Sequence, residues 1–296
     1  MVISASQVKE LREKTGAGMM DCKKALTECE GDLKKAIEWL KEKGIAKAAK
    51  KAGRIAAEGL SKVKAKDNKA VILEVNSETD FVAKNEQFIS LIDTTLDVLL
   101  ANNPQNLEEA LALSVNDKTL GDLFIDATST IGEKIVLRRF EIVNKNDDEI
   151  FGLYIHMGGK ISVITTIKGS TNEAVAKDMA MQVASMNPLY VSKDAMPLEV
   201  IEKEREAVKN ILLADETMAN KPEAVLEKIA EGRLSKSLEE ISLADQIYFR
   251  EQKLKCSEFL KQHNAQVVKF VRYEVGEGIE KREENFADEV AKQIAK

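Results

Sequence analysis

Histidine, cysteine and proline are scarce in this sequence, at two, three and four residues in 296. His156 and His263 are the only imidazoles, and Cys22, Cys29 and Cys256 the only thiols. That set lacks the clustering of a Cys/His zinc site. An odd cysteine count without a regular spacing does not make a disulfide framework. No apolar run approaches the ~20 residues that cross a bilayer. The start, Met1-Val2-Ile3-Ser4, has no basic segment followed by an apolar one, so no signal peptide is read there. The expectation is a soluble, reduced, cytoplasmic protein. Also missing are a GxxxxGK[ST] phosphate loop, a GxGxxG after a strand, and a recognisable serine or cysteine nucleophile motif. The acid pairs Asp147-Asp148 and Glu239-Glu240 lie in polar runs and read as solvated surface. These absences point to a binding protein rather than an enzyme, with no cofactor, metal or nucleotide of its own.

Charge is plentiful but nearly balanced. Lys+Arg number 44 and Asp+Glu 50, a net charge of −6. A mildly acidic chain is a poor general ligand for nucleic acid, which needs a basic face. Basic residues do concentrate between Lys41 and Lys69, where ten face three acids. That stretch reads as a solvated helical linker, or as an electrostatic guide toward an acidic partner. No aromatic lies between Trp39 and Phe81, so it offers no stacking platform for single-stranded RNA.

The length allows about two domains at ~100–200 residues each. Residues 1–44 read as three short helices. Ser4 and Gln7 have capping-box spacing, Gly16-Ala17-Gly18 breaks the first helix, and Asp32 caps the third. Leu33, Ile37 and Leu40 form the third helix's apolar stripe, and Gly44 stops it. The chain then states one pattern twice. Ser61–Ala65, the turn Asp67-Asn68 and Ala70–Val75 make a hairpin. A helix follows with Phe88, Leu91, Ile92, Leu96 and Leu99, then an insert and the strand Ile135–Val143. Ile150–His156, the turn Gly158-Gly159, Ile161–Ile167, a helix from about Asn172 to Met186, an insert and Val267–Val275 repeat it. Arg139-Phe140-Glu141-Ile142 aligns with Arg272-Tyr273-Glu274-Val275. Two-residue turns imply antiparallel pairing, and helices segregated to one face make an α+β core. The first insert carries Leu107 and Leu111 and a helix near Leu120–Ile131. The second reads as a helical hairpin, with Leu198, Ile201, Arg205, Val208, Ile211 and Leu212 facing Leu226, Ile229, Leu234 and Leu238. Glu283–Lys296 reads as an amphipathic helix with Phe286, Val290 and Ile294, able to pack at home or on a partner.

Comparing the halves separates fold from function. Val71-Ile72-Leu73 pairs with Val163-Ile164-Thr165. Ser77-Glu78-Thr79-Asp80-Phe81 then pairs with Gly169-Ser170-Thr171-Asn172-Glu173. The threonine agrees, as a helix start requires, while Asp80-Phe81 differs from Asn172-Glu173. Phe81 either folds back on its own helix as a staple or stands out as an interface hot spot beside an acid. Asp80 is expected to cap the helix.

Leu11-Arg12-Glu13-Lys14-Thr15-Gly16-Ala17-Gly18-Met19-Met20-Asp21-Cys22-Lys23-Lys24-Ala25-Leu26 and Glu78-Thr79-Asp80-Phe81-Val82-Ala83-Lys84-Asn85 resemble the signatures of the bacterial elongation factor Ts family. Glu231-Gly232-Arg233-Leu234, His263-Asn264-Ala265 and Glu274-Val275-Gly276-Glu277-Gly278 resemble further blocks of it, in order, over essentially the whole chain. The resemblance implies an α+β protein. Its parts are a ubiquitin-associated-like three-helix module with basic linker (1–54), a core N-subdomain (55–146), a core C-subdomain (147–278) and a C-terminal helical module (279–296). A coiled-coil hairpin at about 188–240 belongs to the core C-subdomain. It implies a guanine-nucleotide exchange factor that binds elongation factor Tu and promotes GDP release. Lys23, Asp80, Phe81, Ile131, Gly132, His156 and Phe249 match partner contacts, and Thr79, Asp80, Phe81 and Val82 the segment that displaces the partner's magnesium. The competing readings are an RNA- or ribosome-associated binding protein acting through Lys41–Lys69, and an enzyme that uses an acid pair. Two positions depart from the family pattern: Met157, where a glycine is usual, and Gln182, where a histidine is common and to which no role is given.

Overall fold

The computed structural model describes residues 3–218 and 221–280. The first helix, α1 (Ala5–Thr15), begins with the expected capping box: the Gln7 amide donates to Ser4 Oγ, and the Ser4 amide to Gln7 Oε1. Gly16 ends it in the left-handed region, at φ 67°. The next two are α2 (Met19–Glu28) and α3 (Leu33–Lys51), the latter capped by the Asp32 carboxylate on the Lys34 and Lys35 amides. Val8, Leu11, Cys22, Ala25, Leu26 and Ala36 close a small core, with Leu33 and Leu40 packed on it. Ile37, expected in the same stripe, is exposed. Gly44 does not stop α3, which continues to Lys51 with Gly44 buried inside it. A glycine in a helix interior costs only about 1 kcal/mol. Here the helix is supported by packing on α6 (Leu120–Ile131), where Ser129 approaches Gly44.

The basic stretch is therefore not a linker. It forms the end of α3 and the hairpin of β1 (Glu58–Lys66) and β2 (Lys69–Ser77). Several of its cations are engaged within the chain: Lys41 with Asp122 at 3.4 Å, Lys47 with Asp21 at 2.9 Å and Lys62 with Asp93 at 2.6 Å.

The remaining elements are α4 (Glu86–Asn102), α5 (Leu107–Ala112), a two-residue ribbon of β3 (Ser114–Val115) and β4 (Lys118–Thr119), then α6, β5 (Val136–Asn144), β6 (Glu149–His156), β7 (Ile161–Lys168), α7 (Glu173–Met186), α8 (Leu198–Ala214), α9 (Glu223–Glu240), α10 (Cys256–Gln262) and β8 (Gln266–Glu274). The expected duplication is present as topology. One sheet has the order β1-β2-β5 and the other β6-β7-β8, so in each the strand after the insert pairs with the second strand of the hairpin. The ribbon β3–β4 was not read from the sequence; two residues per strand are too few for an alternation to register. The fold divides into two compact units. One contains 3–62, 73–142 and 273–280, the other Val63–Ile72 and Val143–Arg272. In the first, α4 buries the expected Phe88, Leu91, Ile92, Leu96 and Leu99. In the second, α7 lies on β6 and β7 and buries Val175, Ala176, Met179, Ala180 and Val183. Gly152 of β6 is required there, because a Cβ would stand 2.0 Å from the Ala176 carbonyl oxygen.

The helical hairpin closes on a shorter seam than expected, of Val208, Leu212 and Leu234 with Ile229 and Leu238 against them. Leu198 and Ile211 are exposed. Each residue turns a helix by about 100°, so Val208 and Leu212 facing inward carry Ile211 outward. The turn between β6 and β7 has four residues, Met157–Lys160, rather than the two glycines alone. The extra length places Met157 in the left-handed region at φ 48°, beside Gly158 at 66° and Gly159 at 104°. Met157 is exposed, so no packing depends on its side chain. A left-handed non-glycine residue costs about 1 kcal/mol, and glycine's greater freedom in the unfolded chain offsets part of the gain from its removal. Met157→Gly is therefore expected to raise stability by about 0.5 kcal/mol, read as a higher urea midpoint at unchanged slope. The tail helix expected over 283–296 lies outside the described residues. Among the described residues no helix is long and apolar enough to cross a membrane.

Candidate functional site

The connection between β2 and α4 is eight residues long, 78–85, whereas that between β7 and α7 is four, 169–172. The two do not correspond residue for residue. Asn172 caps α7 through the Ala174 amide, as its alignment with Asp80 suggests, but Asp80 caps nothing. Asn85 caps α4, accepting from the Gln87 and Phe88 amides, and a single 3₁₀ turn at Val82–Lys84 precedes it. Phe81 therefore belongs to a turn that the second half lacks.

That turn is closely tied down. The Ala83, Lys84 and Asn85 amides donate to the carbonyls of Asp80, Phe81 and Val82, at 3.2, 3.2 and 2.9 Å. Val82 is buried and anchors the turn to the unit's interior, so its side chain is not a contact surface. Asp80 is exposed, and Phe81 is 81% exposed, the reverse of a staple. Burying a phenylalanine contributes roughly 1.5–3 kcal/mol, which this ring forgoes in the free protein.

The structure brings this turn to the end of α6, where Ile131 is half-buried and Gly132 exposed. Gly132, at φ 90°, ends α6, its amide donating to Thr128 O. The chain then turns back toward the β2–α4 connection. The Thr79 amide and hydroxyl donate to Glu133 Oε2 and Oε1 at 2.9 and 2.7 Å. In return the Lys134 amide donates to Glu78 Oε1 at 2.7 Å. Arg54 pairs with both oxygens of Glu78 at 3.2 Å, Lys134 Nζ donates to Arg54 O at 2.9 Å, and Lys51 Nζ donates to Gly132 O. Burial, with Arg54 beside it, pulls the Lys51 ammonium below its ordinary pKa against the opposing attraction of Glu78. Thr79, Asp80, Phe81, Ile131 and Gly132 thus share one neighbourhood. Glu78, Glu133, Arg54 and Lys134, which hold it, were not singled out from the sequence, because their pairings cross more than twenty positions.

Lys23 stands exposed on α2. Met19 and Met20, exposed at 61% and 76%, lie four and three positions before it. On a helix that spacing makes one surface of the three. The apolar part of this ridge escaped the sequence reading, which counted the methionines only as signature residues.

The second unit holds the other two expected residues. His156 ends β6 half-buried, with Nδ1 3.0 Å from Tyr154 Oη. Phe249 is partly exposed between Tyr248, edge-on at 5.2 Å, and the Arg250 guanidinium at 4.9 Å. Asp178 accepts from Tyr248 Oη at 2.6 Å and pairs with Arg250 at 2.9 Å. Burial and the Asp178 carboxylate together push the Tyr248 hydroxyl well above its ordinary pKa, so it stays a donor. Gln182, given no role from the sequence, has a structural one. Fully buried, it accepts from the Phe249 amide at 2.9 Å and donates to Gln246 Oε1 and Ile247 O. It fixes the backbone that carries Phe249.

Comparison with known families matches residues 78–277 to the family described as elongation factor TS, about two-thirds of the chain. Residues 1–53 match the family described as elongation factor Ts, mitochondrial, N-terminal. A bacterial source, which the resemblance suggested, is not among these findings.

Proposed function

The chain belongs to the elongation factor Ts family, and on that premise we propose that it accelerates GDP release from elongation factor Tu by inserting Phe81 beside the partner's magnesium and phosphate site. The observation that carries the reading is an aromatic side chain left almost entirely in solvent at the tip of a turn that is otherwise hydrogen-bonded throughout. A mobile aromatic would lose conformational freedom on binding; a pre-set one loses little. Pushed between packed elements of the GTPase, the ring separates groups that hold magnesium. Without the cation the phosphate charge of the nucleotide is poorly compensated. Asp80, exposed beside it, adds a negative charge that the departing phosphates disfavour. Lys23, with Met19 and Met20, supplies a separate contact, and Ile131-Gly132, His156 and Phe249 further ones. The chain makes and breaks no covalent bond in this role and needs no nucleotide, metal or nucleic acid of its own.

Linkage supplies the test. A factor that weakens GDP binding must itself bind the GDP-loaded partner more weakly by the same factor. Calorimetric titration of this chain into nucleotide-free and GDP-loaded elongation factor Tu is expected to show tighter binding to the nucleotide-free form, and added GDP is expected to dissociate the complex. Equal affinity for the two forms overturns the proposal.

A further inference from the structure

We infer that Glu133 is a positioning residue for the Phe81 turn, its carboxylate fixing the direction in which the exposed ring stands. The inference rests on the exchange reading above. An exposed ring has few contacts to orient it, so its direction is inherited from the backbone of residues 79–82. The three amide bonds that close the turn are local to residues 80–85 and tie it to no other element. Besides the buried Val82 side chain, what joins the turn to another element is the hydrogen bonding of Thr79. Its amide and hydroxyl both donate to Glu133, while its carbonyl accepts from Ser77 Oγ at 2.9 Å. One carboxylate serves both Thr79 donors, and such charge-assisted bonds are roughly twice as strong as neutral ones.

Glu133 is itself aimed. Gly132 turns the chain in a left-handed conformation, and on the other side the Ile135 amide donates to Thr128 Oγ1 at 3.1 Å. The arrangement is reciprocal. Each loop offers a carboxylate to a backbone amide of the other, Glu133 to Thr79 and Glu78 to Lys134, so 78–79 and 133–134 are cross-braced. Arg54 holds Glu78 from outside the pair. The brace lies two residues from the ring.

The test is GDP release from elongation factor Tu by the full chain and its variants. Glu133→Ala is expected to lower kcat/KM about tenfold, since both Thr79 bonds are lost and only a fraction of molecules present the ring correctly. Amide hydrogen exchange at Ala83, Lys84 and Asn85 should quicken while the chain keeps a cooperative unfolding transition. Glu133→Gln is expected to restore most of the rate, because the amide oxygen accepts from the Thr79 amide and its NH₂ donates to Thr79 Oγ1. In a Phe81→Ala background, Glu133→Ala should add nothing further, because it acts through the ring. If Glu133→Ala exchanges nucleotide like the parent, or loses as much in the Phe81→Ala background, the inference is overturned. Should Glu133→Ala fail to fold, Thr79→Val removes the hydroxyl half of the brace with little change of shape and is expected to lose about threefold; a parental rate there overturns the inference equally. If the parent chain releases no GDP, the exchange reading fails by itself. Amide exchange still decides the brace in that case: unchanged protection in Glu133→Ala overturns it.

Discussion

Phe81→Ala is expected to keep the melting behaviour of the parent and to lose most of its exchange activity. The ring is 81% exposed, and its removal leaves the three amide bonds of the turn, the buried Val82 and the Thr79–Glu133 brace in place. A surface substitution away from packed features changes stability by no more than about 0.5–1 kcal/mol. Truncating an aromatic hot spot costs at least ~2 kcal/mol in the complex or its transition state, roughly thirtyfold in rate. The two effects are measured on one variant, by thermal unfolding and by GDP release. A parental exchange rate, or a loss that follows unfolding, returns Phe81 to a structural role. Asp80→Ala is expected to show a smaller loss in the same direction. Its side chain caps no helix, so its effect is confined to the charge it presents.

Glu74→Gln is expected to be the most destabilising of the substitutions considered. Glu74, in β2, is fully buried. It accepts from Arg138 at 2.9 Å, Arg139 at 2.6 Å, the Gly276 amide at 2.8 Å and Asn76 Nδ2 at 3.1 Å. Burial alone raises a carboxyl pKa. Here the Gly276 amide and the two guanidinium groups outweigh it and hold the group below its usual range. The network joins β2, β5 and the turn after β8, so its loss is not local. Replacing the acid by the amide keeps one acceptor but sets an NH₂ group against the Arg139 donor, leaves Arg138 without its counter-charge and leaves Arg139 with Glu277 alone, at 3.0 Å. Removing one partner of a buried ion pair costs about 3–5 kcal/mol. A loss near 3 kcal/mol is expected for this isosteric change, read from urea unfolding. The pH dependence has a definite sign. A carboxylate whose folded pKa is depressed contributes stability that is fully present above its unfolded value, about 4.3, and that is lost as pH falls through the folded pKa. Glu74→Gln should therefore remove part of the acid sensitivity of the parent as well as its stability at neutral pH. A variant as stable as the parent contradicts this account of the buried network.

How much was legible follows from the range over which each signal acts. Caps and hairpins are local, so Ser4, Asp32 and the Asp67-Asn68 turn could be read directly, and repetition of the strand pattern exposed both sheets. Gly44 failed as a helix stop because the packing of α3 on α6 is a tertiary effect that propensity does not contain. The alignment of Phe81 with Glu173 failed for a different reason. Pairing by sequence cannot see that one copy has four more residues between strand and helix, once the threonines happen to agree. What the structure shows in its place is that Phe81 is exposed, on a turn that has no counterpart in the second half. The brace of Glu133 on Thr79 and the burial of Glu74 were beyond reach. Their partners are distant in sequence, and glutamate at either place looks like any surface acid.

The central claim is that this chain opens the nucleotide site of elongation factor Tu, and its most direct test is the release of a fluorescent GDP analogue from that GTPase in the presence of magnesium. The account predicts that catalytic amounts of the chain accelerate release, with a rate that saturates as its concentration rises. Release at the spontaneous rate across the titration contradicts it.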